Sequence, residues 1–258
     1  MPKMFVAERR NKIMEILNEQ QRITVKELSS KMNVSEATLR TDLNQMEEQG
    51  LLKRTHGGAM LNDFVESETS FSVREKKHKD EKIKIAEKAA EWITYGQCIL
   101  LDASSTALEL ARILKKQNLR LTVVTSGIYT ALELRENPEI TTILLGGVIR
   151  NGSSSLEGTL GMDILNKINI DLMFTSANGF SFETGLTDFN VYEVELKKEM
   201  VRRAKQVIAL IDHSKIDKSS IASFAETHQI YAFITDSPLT DDLLSRFSEH
   251  GIQVTSIH

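Results

Sequence analysis

Several loops in this sequence carry residues whose types and spacing suit anion binding, and the first follows an apolar run that ends at position 101. It reads Asp102-Ala-Ser-Ser-Thr106, and an apolar helical pattern begins at Ala107. Hydroxyls and unpaired backbone N–H groups at a helix N-terminus attract phosphate, because the helix dipole and the free donors both favour an anion. An ordinary helix N-cap is the alternative interpretation of the same residues. The ligand candidates in this loop are Asp102 and, for a phosphate, Ser104, Ser105 and Thr106.

Three further apolar runs end in residues of the same kind. One ends in Thr125-Ser-Gly127, one in Gly146-Gly-Val-Ile-Arg150, and one in Asp212-His-Ser-Lys215. Glycine permits close backbone approach, while arginine and lysine supply positive charge. Four successive loops of this type predict one anionic ligand held at the ends of several strands. The candidates from these three loops are Thr125, Ser126, Gly127, Gly147, Arg150, Asp212 and Lys215.

A second group of polar residues, in the first 60 positions, suits DNA binding. A short helix, a tight turn at Asn33-Val34 and a longer helix capped by Ser35 form the pattern of a helix-turn-helix, whose second helix enters the major groove. Arg40 can donate two hydrogen bonds to guanine, and a following hairpin would place its cations against the phosphate backbone. A small helical bundle with solvated surface charges is the alternative. The DNA-contact candidates are Thr24, Ser35, Glu36, Thr38, Arg40, Thr41, Lys53, Arg54, His56 and Gly57.

Elements that would position these DNA-contact residues can be predicted from periodicity and capping. Apolar residues spaced by three and four predict a helix over Glu8–Gln20, and a capping box starting at Thr24 opens a second helix that runs through Lys31. The third helix buries Leu39, Leu43 and Met46 and ends at Gly50. A strand over 51–56, a Gly-Gly turn and a return over 59–61 complete a winged helix-turn-helix domain, for which we predict the bounds 1–61.

A polar, charge-rich stretch over 62–80 predicts a linker, and alternating strands and helices follow it. The predicted strands are Cys98–Leu101, Leu121–Thr125, Thr142–Leu145, Asp171–Ser176, Gln206–Ile211 and Tyr231–Thr235. The predicted helices are a segment from Lys82 to Ile93 and Ala107–Lys116, Ile128–Leu134, Val191–Ala204 and Thr240–His250. This alternation predicts an α/β domain over 81–258, Rossmann-like, with a mainly parallel sheet whose ligands bind at the carboxyl ends of the strands.

Charge and composition agree with this division. The first 60 residues carry ten Lys and Arg against eight Asp and Glu, whereas the remainder carries 22 against 28. This asymmetry places any nucleic-acid role at the N-terminus. No apolar run is long enough for a membrane span, and the single cysteine excludes an internal disulfide framework, so we expect a cytoplasmic protein.

The N-terminal motifs resemble the DNA-binding domain of the DeoR family of bacterial transcriptional regulators. The resemblance rests on Ile23-Thr-Val-Lys-Glu-Leu, Val34-Ser-Glu-Ala-Thr-Leu-Arg-Thr-Asp-Leu, and Gln49-Gly-Leu-Leu-Lys-Arg-Thr-His-Gly-Gly-Ala. It implies operator binding. The family usually has two consecutive arginines where this chain has Arg40-Thr41, a departure that implies a different operator sequence.

The second half resembles the effector domain of the same family, which is similar in fold to ribose-5-phosphate isomerase. The resemblance covers about 81–236 and rests on the loops at 102, 146 and 212, on Ala177-Asn-Gly and on Gly185-Leu-Thr. It implies a sugar-phosphate effector whose phosphate is held by the first loop, Thr125-Ser126 and Lys215. Ser104 stands where the family often has glycine, which affects how closely the backbone can approach a phosphate. For the sugar hydroxyls the resemblance implies Glu157, Asn178, Thr187 and Glu193.

An active sugar-phosphate isomerase carrying a DNA-binding module is the competing hypothesis. Such a reaction needs a carboxylate base and a group that stabilises an enediolate, roles that Glu193 and Lys215 could fill. The isomerase resemblance leads one to expect acidic residues after the fourth strand, but this chain has Asn178 and Phe180 there. We therefore predict a regulator without catalytic residues or cofactor, and the scattered histidines predict no metal site.

The sequence thus leads to a hypothesis about regulation. A single helix-turn-helix makes few contacts, so a homodimer or homotetramer would bind repeated operator half-sites in double-stranded DNA. A phosphorylated sugar would shift the oligomer between DNA-competent and incompetent states. Because members of the family are mostly repressors, the resemblance implies repression of a sugar-utilisation operon, relieved by the effector.

Overall fold

Two compact units make up the chain, one spanning Met1–Arg74 and the other Glu75–His258. The computed structural model describes residues 5–20, 22–48, 51–60, 71–150 and 153–257. Among the described residues, no helix combines the length and the apolar character that crossing a bilayer requires.

Within its described residues from 5 to 60, the first unit contains three helices and a small antiparallel sheet. In chain order its elements are α1 (Val6–Gln20), β1 (Arg22–Thr24), α2 (Val25–Met32), α3 (Glu36–Glu48), β2 (Lys53–Thr55) and β3 (Gly58–Met60). The capping box predicted at the start of α2 is confirmed, since Thr24 and Glu27 satisfy each other's backbone N–H groups. Asn33 then ends α2 in the left-handed region with φ 53°, which gives the tight turn before α3.

Periodic apolar residues of the three helices form the core of this unit. Ile13, Leu17, Leu39, Leu43 and Met46 are all fully buried, as the spacing predicted. One strand, β1, was not predicted. It pairs with β3 so closely that a Cβ on Gly58 would lie 2.0 Å from the Ile23 carbonyl oxygen, which is why glycine stands there.

The hairpin differs in detail from the prediction. Where a strand was expected over 51–56, the structure has the shorter strand β2, which begins at Lys53 and ends at Thr55. Leu51 and Leu52 are buried and precede this strand. Gly58, expected in the turn, is the first residue of β3. The predicted helix end at Gly50 and the return residue Leu61 lie outside the described residues.

The second unit is built on a seven-stranded sheet in which every pairing is parallel. Its strand order is β13-β12-β10-β7-β4-β5-β6. The strands are β4 (Cys98–Leu101), β5 (Leu121–Thr125), β6 (Ile140–Leu144), β7 (Ile170–Thr175), β10 (Ala204–Leu210), β12 (Ala232–Thr235) and β13 (Gln253–Ser256). The chain proceeds from β4 towards one edge and from β7 towards the other. The carboxyl ends of these two neighbouring strands therefore form the switch point at which α/β sheets bind ligands.

Helices cover both faces of this sheet. They are α5 (Lys79–Ala90), α6 (Ser105–Leu114), α7 (Ile128–Leu134), α8 (Met162–Leu165), α9 (Val191–Arg203) and α10 (Asp241–Glu249), and they follow a short helix, α4 (Phe71–Lys76), in which the first unit ends and the second begins. One apolar cluster packs α5 and α6 against one face, and a second packs α9 and α10 against the other. The Rossmann-like α/β arrangement predicted from the sequence is confirmed.

Three features of this unit depart from the prediction. The described part of the predicted linker, 71–80, holds α4 and the first turn of α5, so α5 begins at Lys79 rather than Lys82. The edge strand β13 was missed. A small antiparallel sheet was missed as well, formed by β8 (Gly179–Ser181), β9 (Gly185–Asp188) and β11 (Ala222–Ala225). β8 and β9 are three and four residues long and buried on both faces, so they show no alternation of polar and apolar residues.

Candidate DNA-binding surface and ligand site

Polar side chains at the start of α3 are exposed, as a DNA-reading helix requires. The Ser35 hydroxyl accepts the Thr38 backbone N–H at 3.3 Å and so caps the helix. Arg40 lies one turn further on and pairs with Glu36, with 3.1 Å between Nη2 and Oε2. The side chains of Arg40 and Glu36 are 51% and 47% exposed, so an approaching nucleic acid can replace this pair at little cost. Thr41 is exposed too, and its hydroxyl donates to the Ala37 carbonyl.

The opposite side of α3 is fixed by a buried carboxylate that the sequence analysis missed. Asp42 accepts hydrogen bonds from two nitrogens of Arg9 on α1, one of them, Nη2, at 3.0 Å, and Arg10 Nε lies 3.6 Å from it. These contacts hold α3 against α1. Asp42 occupies a position within the apolar stripe, three residues after Leu39, and a carboxylate at such a position signals a buried ion pair.

The remaining DNA-contact candidates lie on the wing and at the start of α2. Lys53, His56 and Gly57 are exposed, while Arg54 is half-buried and its backbone N–H donates to Glu47. Thr24 is exposed, but its hydroxyl donates to Glu27 within the capping box at 2.8 Å. The wing therefore offers the Lys53 and His56 side chains to solvent, whereas Thr24 positions α2.

In the second unit, Asp102 is the centre of the switch point. It follows β4, is fully buried, and its Oδ1 accepts the Ser104 backbone N–H at 3.0 Å. Its Oδ2 accepts from the Thr175 hydroxyl at 2.6 Å and from the Ser176 N–H at 3.1 Å. Asp102 thus joins the ends of β4 and β7 and shapes the loop that starts α6.

A buried lysine on α9 completes this cluster. Lys197 Nζ lies 3.1 Å from Asp102 Oδ2 and 2.9 Å from Asp188 Oδ2, and it donates to the Ser176 carbonyl. Burial lowers the pKa of Lys197, but the two carboxylates outweigh burial and raise it above its ordinary value. Burial likewise raises the pKa of Asp102, and Lys197 with the surrounding hydrogen bonds reverses this, so the net shift is downward. Both groups are therefore charged inside the protein.

A second lysine reaches the same strand ends from the loop after β10. Lys215 Nζ donates to the Ser176 hydroxyl at 3.2 Å and lies 3.3 Å from Asp212 Oδ2. Burial opposes ionisation of Asp212, but Lys215 and the Ser214 hydroxyl bring its pKa down to about 2. Unlike Lys197, Lys215 has a partly exposed side chain.

A small, narrow cleft lies beside Lys197. Its lining consists of Ala103, Ser126, Ser155, Leu156, Glu193, Leu196, Lys197 and Met200. The Ser155 hydroxyl donates to Glu193 Oε1 at 2.7 Å across this cleft. The first loop adjoins the cleft through Ala103. In that loop Ser104 caps α6 by accepting the Ala107 N–H, and Ser105 and Thr106 are buried in the first turn of the helix.

The loop after β6 is held by contacts within the loop and with the start of α9. Arg150 Nε pairs with Glu157 Oε2 at 3.0 Å, and the Arg150 guanidinium lies 3.8 Å from the centroid of the Tyr192 ring. Glu157 Oε1 also accepts from Asn190 at 2.8 Å. A Cβ on Gly147 would lie 2.7 Å from the Glu157 carbonyl oxygen, so this glycine allows the loop to fold back on itself.

Three other ligand candidates also make structural contacts. The Thr125 hydroxyl accepts the Gly127 N–H at 3.0 Å. Thr187 is buried in the small sheet, where its hydroxyl donates to the Gly179 carbonyl and accepts the Ser220 N–H. Asn178 is exposed and donates to Ser220. Neither Thr187 nor Asn178 lines the cleft. Phe180, at the position where the isomerase resemblance led us to expect acidic residues, is fully buried in an aromatic cluster.

Sequence reasoning found the loops but missed the residues that join them. Thr175, Ser176, Asp188 and Lys197 were not among the candidates, nor was Ser155. Lys197 gave a detectable signal, because it lies three residues after Val194 and three before Met200 on the buried face of α9. Together these groups can hold an anion and hydrogen-bond a polyhydroxylated ligand. Within the described ranges no three His, Cys, Asp or Glu side chains come together as metal ligands.

Comparisons with known proteins agree with both halves of this description. Residues 9–65 match the family model of the DeoR-like helix-turn-helix domain, and residues 77–237 match that of the DeoR C-terminal sensor domain. The chain belongs to the DeoR family of transcriptional regulators. It is 45% identical to the HTH-type transcriptional regulator GolR of Listeria innocua over 97% of this chain and 98% of that protein.

Other relatives extend this picture. The chain is 29% identical to the glycerol-3-phosphate regulon repressor of Escherichia coli over 97% of this chain and 99% of that protein. A more distant likeness is to ribose 5-phosphate isomerase A from Methanocaldococcus jannaschii, with 19% identity and a TM-score of 0.42 over 54% of this chain and 55% of that chain. As a DeoR-family member with a helix-turn-helix domain, the chain is a regulator and not an enzyme.

Proposed function

We propose that this DeoR-family regulator represses genes for sugar use and that a phosphorylated sugar, bound at the β4–β7 switch point, changes its affinity for DNA. The observation that carries the proposal is the position of Lys215, whose Nζ donates to the hydroxyl of Ser176, the residue that follows β7 and donates its N–H to Asp102 in the loop that starts α6. Two relatives are named as repressors, one of a glycerol-3-phosphate regulon and one of an aga operon. These names support repression, and not activation, as the effect on transcription.

The phosphate end of the proposed ligand lies against α6. Its N-terminus supplies backbone N–H donors and a favourable dipole, and Ser104, Ser105 and Thr106 supply hydroxyls. Lys215 adds a positive charge that a phosphate can share with Asp212. Lys197 is already neutralised by two carboxylates, so we assign it to holding the loop in shape rather than to the phosphate itself.

The sugar end of the ligand lies against the carboxylates. Glu193 lines the cleft and already accepts a hydroxyl from Ser155, which is the kind of contact that a sugar hydroxyl would replace. Glu157 stands behind it and is engaged by Arg150 and Asn190. We therefore give Glu193 and Ser155 the direct contacts and Glu157 a supporting one. The assignments of Asn178 and Thr187 stay predictions, and each would require a present hydrogen bond to be exchanged.

Operator recognition by this chain requires a second copy. The DNA-binding unit presents one recognition helix, and helix-turn-helix proteins reach specificity by placing two such helices about one DNA turn apart. We propose a homodimer, or a homotetramer formed from two dimers, that binds paired half-sites.

The test combines DNA selection with effector titration. Duplexes that bind the full-length chain are selected from a random library, and their affinity is then measured by fluorescence anisotropy with glycerol 3-phosphate, ribose 5-phosphate, fructose 1-phosphate and the unphosphorylated compounds. One phosphate ester should change DNA affinity at least roughly fivefold while its parent compound does not. Specific DNA binding that no phosphate ester alters would contradict the sensing half of the proposal.

A pair of lysine variants sharpens this test. Lys215→Met removes the ammonium, so DNA binding should persist but its response to the phosphate ester should be lost. Lys218→Met is the matched control, because Lys218 is exposed and lies three residues further along the same segment. A Lys215→Met protein that responds like the wild type would show that the phosphate lies elsewhere.

A further inference from the structure

The helix α6 runs from the proposed ligand loop at Asp102 towards α4. The boundary between the first unit (Met1–Arg74, the DNA-binding unit) and the second unit (Glu75–His258, the sensor unit) lies within α4. The first residues of α6 follow Asp102 and Ser104, and Arg112 lies two residues before its end. At 1.5 Å per residue, Ser105 and Arg112 are about 10 Å apart along the helix axis. A short, fully hydrogen-bonded helix moves as one body, so a displacement of its first turn also displaces Arg112.

At this end of α6, Arg112 binds α4. Its Nη2 donates to Glu75 Oε1 at 2.5 Å, and its other nitrogens donate to Glu109 at 2.7 Å and to Glu133 at 3.4 Å. The side chains of Arg112 and Glu75 are 29% and 28% exposed, so water screens their attraction less than it screens a surface pair.

The position of α4 in the chain gives this contact its significance. Glu75 is the first residue of the sensor unit and belongs to the same helix as Arg74, the last residue of the DNA-binding unit. Any change in where Arg112 holds Glu75 is therefore applied to the segment through which the two units are covalently joined.

We propose that the Arg112–Glu75 ion pair transmits ligand binding from the first turn of α6 to α4 and so couples the sensor unit to the DNA-binding unit. This inference rests on the proposed function, since it concerns the regulation of the same site. Arg112 and Glu75 act as positioning residues and do not touch the ligand. Removing the pair should leave both binding sites intact and abolish the communication between them.

Two matched variants of the full-length chain test the coupling. Glu75→Ala removes the link to α4, and alanine keeps the helix propensity high. Glu136→Ala is the control, because Glu136 belongs to the same charge network but binds Lys115, at 2.6 Å, and not α4. Glycerol 3-phosphate, ribose 5-phosphate, fructose 1-phosphate and inorganic phosphate are the probes, and their own affinities are measured by calorimetry. The readouts are the ratio of DNA affinities with and without each probe, and amide hydrogen exchange over 71–76.

The Glu75→Ala protein should bind DNA, and the probe that is active on the wild type, with affinities within about twofold of the wild-type values. The ratio of its DNA affinities with and without that probe should fall roughly fivefold or more, towards one. Exchange over 71–76 should accelerate severalfold in Glu75→Ala and not in Glu136→Ala. A Glu75→Ala protein that keeps the wild-type ratio overturns the coupling while the proposed function stands. A wild-type chain whose DNA affinity ignores every probe overturns the proposed function, and this inference falls with it.

Discussion

Arg40 in the DNA-binding unit and Lys197 in the sensor unit are both cations with carboxylate partners, and they behave in opposite ways. Arg40 is half exposed and meets one carboxylate, Glu36, on its own helix. Lys197 is almost fully buried between Asp102 and Asp188, which come from two other parts of the chain. Exposed pairs contribute little to stability, whereas breaking a buried pair leaves an uncompensated charge.

The contrast indicates how the two sites can change. Residues on the exposed side of α3 can be exchanged without unfolding the domain, so the DNA sequence that is read can diverge freely. The presence of Thr41, where the resemblance leads one to expect a second arginine, fits this freedom. In the sensor unit the same residues hold the strands together and shape the ligand loop. Under the proposed function, specificity there would change at the residues assigned to the sugar, Glu193 and Ser155.

The largest expected effect comes from removing the buried lysine. Lys197→Met leaves Asp102 and Asp188 facing each other without a cation, so the sensor unit should lose about 3–5 kcal/mol of unfolding free energy. Trp92, the single tryptophan, lies in the sensor unit, and its fluorescence during urea unfolding reports that unit alone. Lys198→Met is the control, since Lys198 forms an exposed i,i+3 pair with Glu195, and it should change the free energy by less than about 0.5 kcal/mol. Equal effects of the two substitutions would remove the contrast drawn above.

An intermediate effect is expected at Asp212, and it depends on pH. Its folded-state pKa of about 2 lies below the ordinary value for an aspartate, so its ionised form stabilises the fold above about pH 4, and this contribution is lost as the pH falls towards 2. Asp212→Asn should therefore lower stability by about 2 kcal/mol at pH 6, and the difference from the wild type should shrink between pH 5 and pH 3. Urea unfolding followed by Trp92 fluorescence across this range measures the difference. A difference in unfolding free energy between the variant and the wild type that does not change with pH would mean that the Asp212 carboxylate is not held ionised by Lys215.

Local patterns explain why the DNA-binding unit was the easier half to predict. The capping box at Thr24, the turn at Asn33 and the apolar stripe of α3 each involve neighbours within a few residues, so the sequence displays them directly. Six of the seven strands of the parallel sheet were predictable too, because they are largely apolar runs, most of them separated by helices, whereas the polar edge strand β13 was not.

The assembly of the ligand site was not predictable in the same way. The hydrogen bond from Thr175 to Asp102 joins residues 73 positions apart, and no local pattern encodes it. Lys197 neutralises the carboxylate of Asp102, which the fold brings to it from the end of β4. Only the packed structure therefore shows the role of Lys197. Arg150 illustrates the converse: its type and position suited an anion, but the folded loop provides Glu157 as its partner.

The smallest expected effect on stability comes from the recognition helix, where the change should appear in DNA binding instead. Arg40→Ala should leave the urea unfolding of the DNA-binding unit, followed by far-UV circular dichroism because Trp92 reports only the sensor unit, within about 0.5 kcal/mol of the wild type, since the pair with Glu36 is exposed. Its affinity for selected duplexes should fall by about 1–3 kcal/mol if the guanidinium reads a base. Arg40→Lys separates two kinds of contact. Lysine keeps the charge but not the planar fork, so it should restore binding if Arg40 meets only phosphate and fail to do so if Arg40 pairs with a guanine. Full recovery with lysine would reduce Arg40 to a phosphate contact and move sequence reading to Ser35, Thr38 and Thr41.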